Sequence, residues 1–506
     1  MISNSRKPIT ALAEDIIALS KEGSNLSLGA DGLQFIREFE RHSDNPEAFE
    51  ELVAALEERG ASLVDLMRLP LEEFVFTPLV VMRQHGVGHG GFHTGAMGHG
   101  SARLRWVYDC GASRTEGLQR LSDEIGILAG EPGDAKRRID LLFISHFDRD
   151  HVSGIVQLMS AMEVDTVVIP YLDDLQRAII LAGEMADREE AGANADPGLT
   201  QALFDPVTWL TELGAKTVIQ VRPGEPGFDG ARLLSYGPGD GPELSEDVKG
   251  AKPILVRQSD NAVNAADDQS VVDSGSGWMV THFGRKFGDW CFLPYVTSAR
   301  QSARDAFRAA FNGLIEQRED ESIIAAFRRK MEETDFPAKV KATYKEHELG
   351  DANAVSMSLY VGPFRDGVCF SRKSLRAGQE RHEAGPGWLL TGDAKLAQVG
   401  RRNDWCTFYK PLKSRIGALM LPHHGSHLNF HEDILDIVEE DCLLFACRRA
   451  KQGDPLHENV WTVVERQRRP VAIVSDDRKT SLMQVSGATV LEYAERGLSD
   501  LAKEWC

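Results

Sequence analysis

The densest chemistry in this sequence lies in one short run, Ser145-His146-Phe147-Asp148-Arg149-Asp150-His151. Imidazole and carboxylate alternate there in the order H-x-D-x-D-H, directly after the apolar stretch Leu141-Leu142-Phe143-Ile144. Both group types suit first-row divalent metals. A loop leaving a buried strand turns alternate residues toward different neighbours. The spacing therefore predicts His146 and Asp148 on one ion, with Asp150 and His151 on another. A solvated acidic loop with two incidental histidines is the plain alternative, and short motifs do arise by chance.

Two further segments share that setting at the end of an apolar run. Leu389-Leu390-Thr391-Gly392-Asp393-Ala394 places a carboxylate among small residues, where it can reach between two ions. Leu421-Pro422-His423-His424-Gly425-Ser426-His427 supplies a histidine pair. Each alone is weak, since turn aspartates and structural histidines are common, and the three together are far more specific. Gly86-Val87-Gly88-His89-Gly90 is followed by no helix start and so is not a dinucleotide fingerprint. Of His85, His89, His93 and His99, some are expected to line the site's edge while the glycines shape a tight loop, and none is assigned as a ligand. His282 is a further candidate ligand. Gly-x-Ser-x-Gly is absent, which removes a nucleophile elbow.

These loops need strands to hold them. Short apolar runs bounded by turns predict strands at Val75–Met82, Arg105–Asp109, Leu141–Ser145, Thr166–Pro170, Thr217–Val221 and Leu233–Tyr236. They resume at Ser356–Val361, Val368–Ser371, Trp388–Thr391, Ala418–Leu421, Leu443–Cys447 and Val471–Ser475. Helical spacing between strands, as in Leu172–Ala186, implies a layered α/β arrangement. Residues 1–74 read as an N-terminal helical accessory region, with Leu12, Ile16 and Leu19 on one face. Residues 75–245 and 351–506 form the two strand-rich halves. Residues 246–350 read as a partly helical insertion, loop-like around Gln258–Ser276 and helical over Ser302–Lys330, suited to a lid or a partner surface.

The 506 residues suggest two to four domain-sized pieces. No apolar run approaches a membrane span, and the N-terminus lacks a secretory core, so a cytoplasmic location with no membrane partner is the expectation. Seven scattered cysteines without a C-x-x-C pair imply reduced thiols, most of them buried. A net charge of −20 argues against a broad electrostatic grip on nucleic acid. Arg401-Arg402 and Lys410–Arg415 are the local candidates for a phosphate contact, with a solvated surface face as the ordinary alternative.

The order H-x-D-x-D-H, then T-G-D, then P-H-H-G-S resembles the metallo-β-lactamase superfamily, nearest the soluble domain of ComEC-type DNA-uptake channels. Gly86–Gly90, Tyr108-Asp109-Cys110-Gly111, Asn353-Ala354-Val355-Ser356 and Pro455-Leu456-His457 add supporting matches. The resemblance covers roughly residues 78–240 and 351–480. It implies an αββα metallo-β-lactamase sandwich, here with an N-terminal helical segment and a helical insertion. It implies two divalent ions, zinc or manganese. His146 and Asp148 would bind the first and Asp150 and His151 the second, with Asp393 bridging. His423 or His424 would complete the second site, and Asp109 would orient the ligands from behind.

By the same resemblance the protein is a metal-dependent hydrolase using a metal-bound hydroxide, a phosphodiesterase or nuclease with a phosphodiester or nucleic-acid substrate. Asp150, His424 and His457 are the candidate catalytic residues. An unliganded His424, His427 or His457 would protonate the leaving group. The alternatives are hydrolysis of small esters, lactones or thioesters, and a metal-bearing scaffold in a larger, for example defence, assembly. A protein partner would dock on the N-terminal helices or the insertion. Asp148 stands where the superfamily's common motif has histidine. The extra carboxylate makes the site harder and less selective for zinc, which favours Mn²⁺.

Overall fold

The computed structural model describes residues 79–99, 102–130, 137–190, 197–224, 255–257, 269–274, 277–280, 290–297, 301–333, 335–346, 355–363, 371–374, 385–449 and 456–487. The N-terminal region 1–74, the strand expected at 233–236, His282 and residues 353–354 lie outside them.

Strands β1 (Leu79–Gln84), β2 (Phe92–His99) and β3 (Ala102–Cys110) form an antiparallel meander. Helix α1 (Arg114–Ala129) leads to β4 (Arg138–Phe143). The short α2 (Arg149–Val152) and then α3 (Ile155–Ala161) precede β5 (Glu163–Pro170). Helices α4 (Asp174–Glu190), α5 (Pro197–Phe204) and α6 (Pro206–Glu212) lead to β6 (Thr217–Arg222). Then come β7 (Leu255–Arg257), β8 (Gln269–Asp273), β9 (Trp278–Val280) and β10 (Trp290–Val296).

Helices α7 (Gln301–Ile315), α8 (Ile323–Lys330) and α9 (Phe336–Glu346) follow. The chain returns through β11 (Met357–Pro363), β12 (Ser371–Ser374), β13 (Gly387–Leu390), α10 (Val399–Tyr409), β14 (Ile416–Met420) and β15 (Leu443–Cys447). It closes with α11 (Glu458–Arg466), β16 (Val471–Val474) and β17 (Leu482–Gly487).

These strands build two sheets, ordered β12-β17-β1-β2-β3-β4-β5-β6-β8 and β16-β15-β14-β13-β11-β10-β9-β7. In each, a parallel segment joins an antiparallel one: β3 to β6 and β8 run parallel in the first, and β13 to β16 in the second.

Period-two alternation explains the layering. Along β10, Trp290, Phe292 and Val296 join the core between the sheets, while Cys291, Leu293 and Tyr295 join a second core on the far side. β11 divides likewise, with Met357, Leu359 and Val361 inward and Tyr360 outward. The sheets meet face to face where Trp106 packs edge-on against Phe292 at 5.1 Å, and where the Tyr108 hydroxyl donates to Met357 O at 2.7 Å. Trp405, Phe408 and Tyr409 of α10 and Val460 and Val464 of α11 cover the outer face of the second sheet. Leu121, Ile125, Ile155 and Leu158 of α1 and α3 join the core on the first-sheet side. The layers are therefore helix, sheet, sheet, helix, the αββα sandwich that the sequence implies.

The stretch 246–350 differs from its sequence reading. It holds the strands β7 to β10, which belong to the two sheets, as well as helices. Gln269–Asp273, read as loop, is an edge strand whose polar ends hide its period. Trp290–Val296 is an unbroken apolar run buried on both faces, a pattern without alternation to reveal it. The helices α7 to α9 pack on α4. An aromatic ladder knits them, with Phe307–Phe311 at 4.8 Å, Phe311–Phe327 at 5.3 Å and Phe327–Phe336 at 5.6 Å. Among the described residues no helix is long and apolar enough to cross a membrane. Cys110, Cys291, Cys442 and Cys447 are buried, and Cys406 is half-buried.

Candidate metal centre

Each ligand-bearing loop leaves the end of a central strand. His146, Asp148, Asp150 and His151 follow β4, Asp393 follows β13, and His423 and His424 follow β14. The first loop presses so closely on the end of β3 that a Cβ at Gly111 would lie 2.4 Å from the Asp150 carbonyl. Only glycine fits there. The other two loops are tied together by His423 N donating to Gly392 O at 3.0 Å. Ser356 Oγ accepts from Asp393 N at 3.0 Å and fixes the start of the Asp393 turn.

His423 and His424 both occupy the left-handed backbone region, with φ of 49° and 56°. Two such residues in succession are uncommon outside glycine and cost free energy unless their surroundings over-determine them. The conformation splays the two rings apart, their planes 76° from each other. His423 Nε2 then meets Asp393 Oδ2 at 3.6 Å, and His424 Nε2 meets Asp150 Oδ2 at 3.0 Å.

The side chains converge in two groups. His146, His151 and Asp393 form one, and His89, Asp150 and His424 the other, with ligand atoms inside each group within 4.8 Å of one another. Asp393 reaches across. Its Oδ2 lies 3.5 Å from His146 Nε2, and its Oδ1 lies 3.3 Å from His151 Nε2 and 4.0 Å from His424 Nε2. Asp148 Oδ2 stands 3.6 Å from His146 Nε2 at the exposed rim. His151 stands between the two groups, with its Nε2 3.8 Å from Asp150 Oδ2 as well as close to Asp393.

Asp109 orients both histidines of the first group. Its own backbone is left-handed, φ 56°, a conformation aspartate tolerates better than most residues. Oδ2 accepts from His151 Nδ1 at 2.8 Å and from the Ser145 hydroxyl at 2.7 Å. With its proton given to Asp109, Ser145 Oγ accepts from His146 Nδ1, 2.8 Å away. Both rings therefore carry their proton on Nδ1 and turn an Nε2 lone pair into the cluster.

The donor set fits divalent ions. Nε2 of His146 and of His151 are buried and have no hydrogen-bond partner. Buried polar atoms are seldom left so, and a Lewis acid would satisfy them. The charges agree. Burial and His151 pull the His146 pKa down, but Asp393 and Asp148 outweigh them and hold it up at about 10. His151 is likewise raised against its burial, chiefly by Asp393 and Asp109. Despite burial, Asp393 is held well below the carboxylate range by His423, His151 and His146. The carboxylates thus call for positive charge, which metal ions supply as well as protons do.

Other candidate residues fall elsewhere. His457 accepts from Asn459 N through Nδ1 at 3.3 Å and stacks on His427 at 3.6 Å, and it is in neither group. His85 is a buried structural residue between Glu124 and Thr94, at 2.8 Å from each. Arg402, a candidate phosphate contact, is buried; it pairs with Asp433 at 3.0 Å and donates to Ala397 O at 2.9 Å. Arg401 and Arg415 are buried too, and Lys413 lies 3.9 Å from Glu439. These arginines form neither a solvated face nor an open phosphate patch, because the helix carrying Arg402 packs against the turn carrying Asp433. His89 is the residue that sequence reasoning passed over. The Gly-rich loop around it was the available signal.

No family model matches the chain, and no curated protein does. Among solved structures it is similar to the crystal structure of human tRNase Z, short form, over 78% of this chain and 91% of that one. The identity is 9% and the TM-score 0.26, a likeness too slight to assign anything to this chain.

Proposed function

We propose that this protein is a dinuclear metal-dependent hydrolase of the metallo-β-lactamase superfamily, nearest its ComEC-like branch, and that it cleaves phosphodiesters, nucleic acid among them. The observation that carries this reading is the convergence of His146, His151 and Asp393 beside Asp150 and His424 on loops from both sheets. In this reading His146 and Asp148 would hold the first ion and Asp150 and His424 the second, with His151 and Asp393 within reach of both. Bound there, zinc or manganese ions supply Lewis acidity and bring the pKa of coordinated water toward neutrality.

The chain's own residues do the rest. Asp109 and Ser145 keep the imidazole lone pairs aimed inward. Asp150 sets His424 through their 3.0 Å contact. His457 is the candidate acid for the leaving group; in its acid form, the imidazolium, it would give up the contact of Nδ1 with Asn459 N and donate from Nε2.

One observation favours the second reading, hydrolysis of a small ester, lactone or thioester. Arg402 is committed to Asp433, which removes an expected phosphate contact. A metal-supplemented screen decides between them, spanning bis-p-nitrophenyl phosphate, single- and double-stranded nucleic acids, cyclic nucleotides, lactones and thioesters. Turnover of phosphodiesters that disappears in Asp393→Ala is the expected result. Activity on lactones or thioesters alone selects the second reading, and a metal-loaded protein inert on the whole panel counts against both.

A further inference from the structure

His89 sits outside every ligand motif of the sequence, yet the fold carries it onto the second group. We infer that His89 is a direct protein ligand of the second ion, completing a His89–Asp150–His424 set. This rests on the hydrolase reading above and extends it to a residue supplied by the first hairpin of the first sheet.

Three observations converge. The first is distance. His89 Nε2 lies 3.7 Å from Asp150 Oδ2, too long for a hydrogen bond. Two donors each about 2.0–2.2 Å from one tetrahedral ion stand roughly 3.3–3.6 Å apart, close to that separation. The second is ring placement. The His89 and His424 rings lie 3.9 Å apart and tilted by 40°, so the two imidazoles crowd the same side of Asp150.

The third is how the loop is built. Ser113 N donates to His89 O at 2.8 Å, and Gly91 N donates to Asp150 O at 3.1 Å. A Cβ at Gly90 would lie 2.4 Å from Gly111 O and 2.7 Å from Asp150 O. Glycine there lets the loop lie directly on the metal-binding loop, with the His89 side chain over Asp150. The backbone directly after His89 is thus pinned to Asp150, in the segment that carries other candidate ligands, and to the chain just beyond β3. A surface histidine with no task would not require it.

The test uses the full-length chain, stripped of metal and titrated with Mn²⁺ and, separately, Co²⁺, by calorimetry and visible absorption. Wild type is compared with His89→Gln and His89→Ala, and the thermal transition of each metal-free variant reports folding. Wild type is expected to bind two ions. Both variants should keep the first site at wild-type affinity and lose more than about 100-fold at the second, beyond the roughly 10–100-fold typical of an outer-sphere partner. The Co²⁺ band of the second equivalent should change in step. A second-site loss of 100-fold or less in His89→Gln overturns the ligand role, as does equal weakening of both sites. A wild-type chain that binds one ion overturns it too. If wild type binds none, the hydrolase reading falls with it, whereas two ions held equally by all three proteins remove His89 alone.

Discussion

Asp109 Oδ2 lies 2.8 Å from His151 Nδ1 and also accepts the Ser145 hydroxyl that orients His146, so one buried carboxylate sets the tautomer of two inward-facing imidazoles. Replacing it by the isosteric amide keeps the shape and removes the charge. In Asp109→Asn, metal affinity is expected to fall about 10–100-fold with the fold retained. Calorimetric titration of the stripped protein measures it. Unchanged affinity would mean that the imidazoles are oriented by packing alone.

Asp148 adds a third carboxylate to a pair of divalent ions and leaves one net positive charge where a histidine would leave two. Hard oxygen donors favour manganese, and imidazole favours zinc. Turnover in the stripped wild-type protein is therefore expected to be higher with Mn²⁺ than with Zn²⁺, and Asp148→His should move the preference toward Zn²⁺. Parallel metal titrations of the two proteins give the answer. Maximal turnover of wild type with Zn²⁺ and none with Mn²⁺ would reject the idea.

Arg402, itself buried, pairs with the half-exposed Asp433 and donates to the carbonyls of Leu396 and Ala397. Arg402→Ala leaves these acceptors unpaired, at a cost of about 1–3 kcal/mol of stability. The salt dependence of any nucleic-acid cleavage should stay as in wild type, since this guanidinium does not face substrate. Urea unfolding and rates at two salt concentrations test both halves. A shallower salt slope with unchanged stability would restore Arg402 to the substrate side.

His93 is fully buried against Trp388, ring centroids 4.9 Å apart, and neither ring nitrogen has a hydrogen-bond partner. Burial, then neighbouring His85, lowers its pKa from 6.5 to about 3, and burial first lowers His85 to about 4. A histidine lowered in the folded state binds its proton more readily unfolded. Its contribution therefore leaves stability intact above pH 6.5 and erodes it progressively down to the folded pKa. Glu124, brought to about 2 by His85 and the nearby arginines against its burial, erodes stability in the same direction below pH 4.5. His93→Phe is expected to be about 1–3 kcal/mol more stable at neutral pH, with a flatter profile between pH 6.5 and 3. Chemical denaturation across that range checks it, and a destabilised variant with the wild-type slope would contradict it.

Much of this site can be read along the chain, for a physical reason. His146, Asp393 and His423 each follow a short apolar run, and the central strands of a covered sheet end where their side chains can reach a shared edge. The same logic yields the strands at Leu443–Cys447 and Thr217–Arg222. The full partition of ligands does not follow from spacing, because His151 stands within reach of both Asp150 and Asp393. His89 escapes because its place depends on a loop docking onto a segment more than fifty residues away in sequence. The arginines at 401, 402 and 415 mislead because charge in a sequence suggests solvent, while here Asp433 makes a buried guanidinium tolerable. β10 escapes because continuous burial erases the alternation by which strands are recognised.

The pairing of β17 with β1 joins the last described strand to the first, Val80 opposite Ser486 and Met82 opposite Gln484. Contacts this remote in sequence must wait for the intervening chain, and such topologies fold slowly. The loops with the candidate ligands likewise come from sequence segments on either side of that wait, so their cluster assembles only once both sheets are in place. Ions bound there would report a finished fold rather than nucleate it. Refolding without metal should reach the native sheets at the same rate as refolding with it, and occupancy should rise only after them.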